Sequence, residues 1–388
     1  MGGRGELALV MSGGGARAAY QVGFLRGISR RLPALQPEIL TGVSAGAINA
    51  CYLGNHPRSF AENLDGLTRL WTQLTPEDVM DTSAVGLGRL AFLWALRLTS
   101  GGRYQPSQLR GLIDTQPLRE FLQRTLDADA EGELLGVQTN IDSGRLKALA
   151  VTATCYSTGQ TVTMFQGRDI RDWERPNRRS KRTRLNVEHV MASSALPLLF
   201  PAVKLNSGWF GDGGVRLTNP LAPAVHLGAQ RILAISTRFG RSIREADKPV
   251  IDGYPPPAQI ASVLLNSIFL DQLDGDALRL QTTNRLLERL SSEERGGLRP
   301  IELQIWRPTR DLGQLANEYE ARLPRALRFF TRGTGSLETR SNDFLSLIMF
   351  QHDYLTRLVE LGEADATSNA DEIAAFLEPD PAPLQGPT

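Results

Sequence analysis

Apolar residues along this chain fall into short runs closed by glycine, alternating with longer stretches at helical spacing. Leu7–Met11 is an apolar run ended by Ser12 and three glycines, which predicts a buried strand. From Ala18 to Leu32, Phe24, Leu25, Ile28 and Leu32 recur at helical spacing. On the same stretch Ala19, Gly23 and Gly27 form a stripe of small residues, so this helix can lie unusually close to a neighbour. Ile39–Thr41 predicts a second strand, followed by Gly42–Gly46 and a small-residue helix from Ala45 to about Leu53. Leu146–Thr154 and Thr161–Phe165 read as strands joined by a turn at Ser157–Gln160, and Arg231–Ser236 and Glu302–Trp306 as further strands. Strands alternating with helices predict an α/β sheet covered on both faces. From Gln314 the pattern becomes mainly helical, broken near Gly333–Ser336, and continues to about Glu360. A proline-rich tail from Pro379 is expected to be loose.

Composition narrows the function classes. With 388 residues, 41% of them apolar, a sizeable core is available and a disordered chain is excluded. The 43 basic and 42 acidic residues balance, so no global field favours nucleic acid. Cys51 and Cys155 stand far apart, and His56, His189, His226 and His352 are scattered, which argues against a disulfide framework and a metal site. The uncharged stretch Leu40–Pro57 is too polar to span a membrane. The first residues fit neither a signal peptide nor a myristoylation pattern, so the expected location is cytoplasmic.

Two glycine motifs carry the chemistry. Gly42-Val43-Ser44-Ala45-Gly46 fits G-x-S-x-G, in which a serine sits on a sharp strand-to-helix turn and its neighbours must be small. Gly13-Gly14-Gly15-Ala16-Arg17-Ala18 follows the first strand and has two readings. A dinucleotide loop needs an acid at the end of the second strand, where Thr41 and Gly42 stand instead. An oxyanion hole, with backbone N–H groups facing a carbonyl attacked by Ser44, accounts for both motifs with one reaction. A base for Ser44 has two candidates. His226 follows a proline-rich loop, whereas Asp212 in Gly211-Asp212-Gly213-Gly214 sits on a backbone that permits close approach and could accept the Ser44 proton directly.

Taken together, G-G-G-x-R, G-x-S-x-G and D-G-G in this order resemble the patatin-like phospholipases. Ala192-Ser193-Ser194-Ala195-Leu196-Pro197 resembles that family's A-S-x-A-x-P stretch. The resemblance implies a patatin-like α/β fold with a mostly parallel central sheet, a Ser–Asp dyad, and no cofactor or metal in the reaction. It implies Ser44 as nucleophile, Asp212 as base, and Gly13, Gly14 and Gly15 as the oxyanion hole, with Arg17 at the basic position beside it. Gly42 and Gly46 would frame the elbow, and Gly213 and Gly214 the Asp loop. Ala18 departs from the glycine common at its position. On this reading residues 1–310 form the catalytic domain, with its motifs in 7–236, and 311–388 form a helical C-terminal extension.

The implied activity is a serine lipid acyl hydrolase, of phospholipase A or lysophospholipase type, acting through an acyl-enzyme. An acyltransferase using the same intermediate and a silent membrane-associated scaffold are the alternatives. The expected partner is a phospholipid or other acyl ester. Three further segments bear on substrate. Leu90–Leu98 is a short apolar helix, a core element or a lid hinged at flanking glycines. The basic run Arg175–Arg184 is a solvated loop or a contact for an anionic membrane surface. Asp271–Asp276 lacks calcium-loop spacing and is expected to be a solvated helix face.

Overall fold

The computed structural model describes residues 5–377 apart from 82, 84–85, 87, 89–91, 94, 97–98, 102–110, 207, 248–250, 252, 270, 326–327 and 330–341. Among the described residues the strands are β1 (Leu7–Met11), β2 (Ile39–Val43), β3 (Ala148–Cys155), β4 (Gln160–Gly167), β5 (Glu174–Arg175), β6 (Arg178–Arg182), β7 (Val203–Leu205), β8 (Gly208–Asp212), β9 (Arg231–Ile235) and β10 (Glu302–Trp306). They form one sheet in the order β10-β9-β1-β2-β3-β4-β6-β5, with β8 joined to the end of β3 and β7 paired to β8. β10, β9, β1, β2 and β3 are parallel, and β4 returns antiparallel to β3 through the expected hairpin. The fold is therefore the expected α/β class with a mixed, mostly parallel sheet. The order reverses at β1, so the loops after β1 and β2 meet at the carboxyl ends of neighbouring strands, where open α/β sheets bind ligands.

The helices that position the site are α1 (Ala18–Arg31), α2 (Ala45–Asn55), α3 (Phe60–Gln73), α4 (Val187–Ser193), α5 (Pro257–Phe269), α6 (Asp343–Ile348) and α7 (His352–Ser368). Strand alternation divides the interior. Leu7, Leu9 and Met11 join a large core with α1 to α4, α6 and α7, whereas Ala8 and Val10 face a smaller one containing Leu221, Leu227 and Leu273. The C-terminal helices α6 and α7 thus share the core of the sheet. Their partner is the small-residue stripe of α1: a Cβ on Gly23 would collide with the Val359 carbonyl, and one on Gly27 would press on Ala366. Gly362 answers from the other side, against the Tyr20 carbonyl, and the Tyr20 hydroxyl donates to Asp365 at 2.9 Å.

Several segments differ from expectation. Arg175–Arg184 is built into the edge strands β5 and β6 instead of a loop, because β4 offers β6 a parallel ladder from Thr161 to Phe165. Asp276 is not solvated: it is 7% exposed and accepts from Leu221 N and Asn219 Nδ2, both at 2.9 Å, and so ties down the chain after Asp212. Helix continues past Glu360 to Leu377. Gly333–Ser336, the tail from Pro379 and most of Leu90–Leu98 lie outside the described residues. Among the described residues, no helix is long and apolar enough to cross a membrane.

Replacing Gly23 by Val should destabilise the protein by about 1–3 kcal/mol, since α1 and α7 must separate to admit the side chain. Calorimetry should show a lower Tm. An unchanged Tm would mean that this helix contact is not tight in solution.

Candidate active site

β2 leads into α2 through Ser44, whose φ of 56° and ψ of −133° form a strained strand-to-helix turn. A non-glycine residue in such a conformation costs on the order of 1–3 kcal/mol and persists only where its surroundings hold it. Here the neighbouring backbones do so. A Cβ on Gly42 would run into the Gly46 carbonyl and Ala47, and one on Gly46 into the Met11 and Ser12 carbonyls. The Ser44 N–H donates to Ser193 Oγ at 3.0 Å, and that hydroxyl donates to the Thr152 carbonyl at 2.6 Å. Ser193 therefore holds the elbow onto β3. Its place in the Ala192–Pro197 stretch was visible in the sequence, but its partner was not.

The glycine loop lies against the same serine. A Cβ on Gly13 would stand 3.0 Å from Ser44 Cβ and 3.7 Å from its Oγ. Gly14 (φ 152°) and Gly15 (φ 53°) adopt backbone angles that side chains rarely tolerate. Among the described residues neither amide N–H donates a hydrogen bond. The loop is pinned from beneath. Thr237 Oγ1 donates to the Gly13 carbonyl at 2.7 Å, and Gln21 Nε2 donates to the Ser12 carbonyl at 2.8 Å. Asn49 and Trp71 extend this buried chain, with Asn49 Nδ2 donating to Gln21 at 3.1 Å and Trp71 Nε1 donating to Asn49 at 2.7 Å.

The Arg17 guanidinium is 2% exposed and pairs with Asp343, while Nε donates to Ser346 Oγ at 2.6 Å. Both partners belong to α6, so Arg17 anchors the loop to the C-terminal helices and offers no free charge beside it.

Asp212 ends β8, opposite Ala153 of β3, and is fully buried. Oδ1 accepts the Gly214 N–H at 2.8 Å, whereas Oδ2 is buried with no hydrogen-bond partner among the described residues. Burial pushes its pKa up from the ordinary carboxylate value to about 7, against smaller lowering by the nearby Ser44 hydroxyl and the Gly214 amide. The serine thus stands close enough to influence the carboxyl. Gly213 passes over the Thr152 carbonyl and Gly214 lies against Phe269 of α5.

Ser44 opens onto a narrow, partly open space of about 30 Å³. Its walls are mainly apolar: Ile48, Trp71, Leu118, Phe121, Phe200 and Phe350. No histidine lines it. His226, the alternative base, stacks on Trp173 with ring centroids 4.7 Å apart, and His56 stacks on Tyr52. Among the described residues no three His, Cys, Asp or Glu side chains gather as a metal site would require.

A serine raised on a strand-to-helix turn thus lies beside a buried carboxyl and under a glycine loop. The family model described as patatin-like phospholipase matches residues 9–225, more than half the chain, and the protein belongs to that family. Similar solved structures include VipD from Legionella pneumophila, with 16% identity over 68% of this chain and 54% of that one, and a TM-score of 0.33. Another is human GIVD cytosolic phospholipase A2, with 11% identity over 96% of this chain and 60% of that one, and a TM-score of 0.47. The chain thus spans little more than half the length of these proteins. No curated protein matches it.

Removing the Arg17 cation should be costly, because Asp343 is left without its partner in a mostly buried site. Arg17→Met should destabilise by about 3 kcal/mol, and Arg17→Met with Asp343→Asn by less. Chemical denaturation of the two variants checks the order. Equal losses would show that the charge pair is not what anchors the loop.

Proposed function

We propose that this protein is a serine lipid acyl hydrolase, cleaving fatty-acyl esters in the manner of a phospholipase A or lysophospholipase. Ser44 is the nucleophile and Asp212 the base. One observation carries the reading: a fully buried carboxyl, with one oxygen unpartnered, lies beside an elbow serine that faces an apolar space. Membership of the patatin-like phospholipase family supports lipid hydrolysis as the class of activity.

The reaction follows from the groups in place. Gly214 fixes one carboxylate oxygen, leaving Oδ2 to accept the Ser44 proton as Oγ attacks an ester carbonyl. The developing oxyanion meets the unspent amides of the Gly13–Gly15 loop, where each well-placed donor is worth about 3 kcal/mol in such sites. The proton passes to the leaving alcohol and an acyl-enzyme remains. Water activated by Asp212 then releases the fatty acid. The apolar walls fit an acyl chain, although a space of about 30 Å³ must widen to take more than a few methylenes. Leu198, 78% exposed on the loop between Leu196 and Phe200, supplies an apolar rim suited to peripheral contact with a lipid surface.

Ser44→Ala should abolish hydrolysis of short-chain p-nitrophenyl esters and labelling by a fluorophosphonate probe, with the fold retained. Asp212→Asn should remove nearly all turnover, whereas substitution of each of the four histidines in turn should leave it. A folded His226→Ala enzyme as inactive as Ser44→Ala would overturn the dyad.

The pH dependence has a definite sign. Activity needs the ionised carboxyl, so kcat/KM should rise with pH through about 7. Stability runs the other way. The folded pKa is above the unfolded value, so protonation favours folding and stability falls as pH rises between about 4 and 7. Asp212→Asn should therefore be more stable than the wild type at pH 8, with a gain that shrinks toward about pH 4. A destabilised Asp212→Asn protein at pH 8 would contradict this.

A further inference from the structure

We propose that a second cavity, between β4, β6, β8 and the start of α4, binds a phosphate-bearing anion through Lys181, Lys204 and His189. The cavity measures about 230 Å³ and lies apart from the space at Ser44. The basic run supplies part of it by alternation along β6. Arg178 and Arg182 point to one face, where Arg178 donates to Asn219 at 2.6 Å and Arg182 lies over the Phe165 ring at 4.9 Å. Lys181, opposite Met164, takes the other face with His189. The run's charge is thus divided, and only part of it reaches this cavity.

The charge balance in the cavity favours an anion. Its nearby carboxylates are already engaged: Glu188 pairs with Arg119, and Glu133 with Arg184 at 2.9 Å. Among the described residues Lys181 and Lys204 have no ion-pair partner, and Lys204 only rests over the Trp209 ring at 5.3 Å. His189 adds a directed donor. It is 8% exposed, and its Nδ1 accepts the Asn186 N–H at 3.1 Å, which places the ring proton on Nε2. That N–H has no partner among the described residues, and the ring lines the cavity. Burial, and then the charge of Lys181, push the His189 pKa down to about 4, so the ring is a neutral donor at pH 7. Two lysines and one N–H lining a space of this size suit a compact oxyanion with several acceptors.

A lipid headgroup and a free phosphoester share this chemistry. The cavity is tied to the elbow, since α4 carries His189 near its start and Ser193, the partner of the Ser44 amide, at its end. Its bearing on catalysis rests on the acyl-hydrolase reading; the binding itself does not.

The test uses full-length Ser44→Ala protein, so that lipid is not consumed. Inorganic phosphate should shift the ¹⁵N resonance of His189 Nε2 and leave those of His56, His226 and His352 in place. Lys181→Met with Lys204→Met should weaken that binding by about tenfold or more per ammonium removed. In a second arm, co-sedimentation compares phosphatidylcholine vesicles with and without phosphatidic acid. Binding of phosphate alone assigns a soluble phosphoester, and binding only of phosphatidic-acid vesicles, lost in the double variant, assigns a headgroup. Lys204→Glu, at an exposed position, serves if the double variant does not fold. The proposal is overturned if neither probe binds, if the lysine variants bind as the parent does, or if sodium chloride at matched ionic strength shifts His189 equally. Because no arm reads turnover, its failure leaves the hydrolase reading standing, and inactivity on esters leaves this one standing.

Discussion

At Gly46 the backbone of α2 lies against the carbonyls of Met11 and Ser12, with no room for a Cβ between them. This contact brings the loop after β1 and the turn after β2 to the same point in space. It sets Gly13 beside Ser44 and holds the serine at positive φ, where its hydroxyl faces the apolar space. The same kind of approach recurs where Gly213 passes over the Thr152 carbonyl, immediately after Asp212. Two backbone-on-backbone contacts therefore bring the serine and the carboxyl together. Among the described residues neither is held by a salt bridge, and the Asp212 carboxyl is fully buried.

That burial sets the proton affinity of the carboxyl. A carboxyl shielded from water and without a cation beside it is a stronger base than a solvated one, and its raised pKa is the thermodynamic trace of that burial. Gly214 moderates the effect by donating to one oxygen only. An imidazole relay would need a third group to orient it, and His226 is instead occupied in a stack with Trp173 on the far face of the sheet.

Most of the site's residues were legible in the sequence because glycine punctuates it. Gly15, Gly42, Gly46 and Gly213 mark places where backbones touch, Gly13, Gly14 and Gly214 lie against the side chains of Ser44, Thr237 and Phe269, and the strands before the first two motifs are short apolar runs. What the sequence hid were partners distant along the chain. The stripe of Ala19, Gly23 and Gly27 foretold a close neighbour, but nothing local identifies α7 as that neighbour. Arg17 read as the basic position beside the loop, and nothing local identifies the aspartate that it meets in α6. The basic run read as a loop because its residues are polar on both faces. Its strand character comes from the ladder offered by β4, a tertiary effect that overrides local preference.

The C-terminal helices are therefore part of the surroundings of Ser44 in a physical sense. The residues matched by the family model end at 225, yet the loop above Ser44 is completed from beyond that point. Gly15 lies against the Leu347 carbonyl, Arg17 is held by Asp343 and Ser346, and Phe350 forms a wall of the apolar space at Ser44. Asp343 also accepts from Asn266 of α5, and Phe269 at the end of that helix covers Gly214 beside Asp212. One carboxylate thus joins the glycine loop to the helix that covers the Asp loop. The surroundings of Ser44 and of Asp212 are thus linked through a residue that neither motif contains, and a chain ending with the last motif would retain both residues while losing Phe350 from the wall of the space at Ser44.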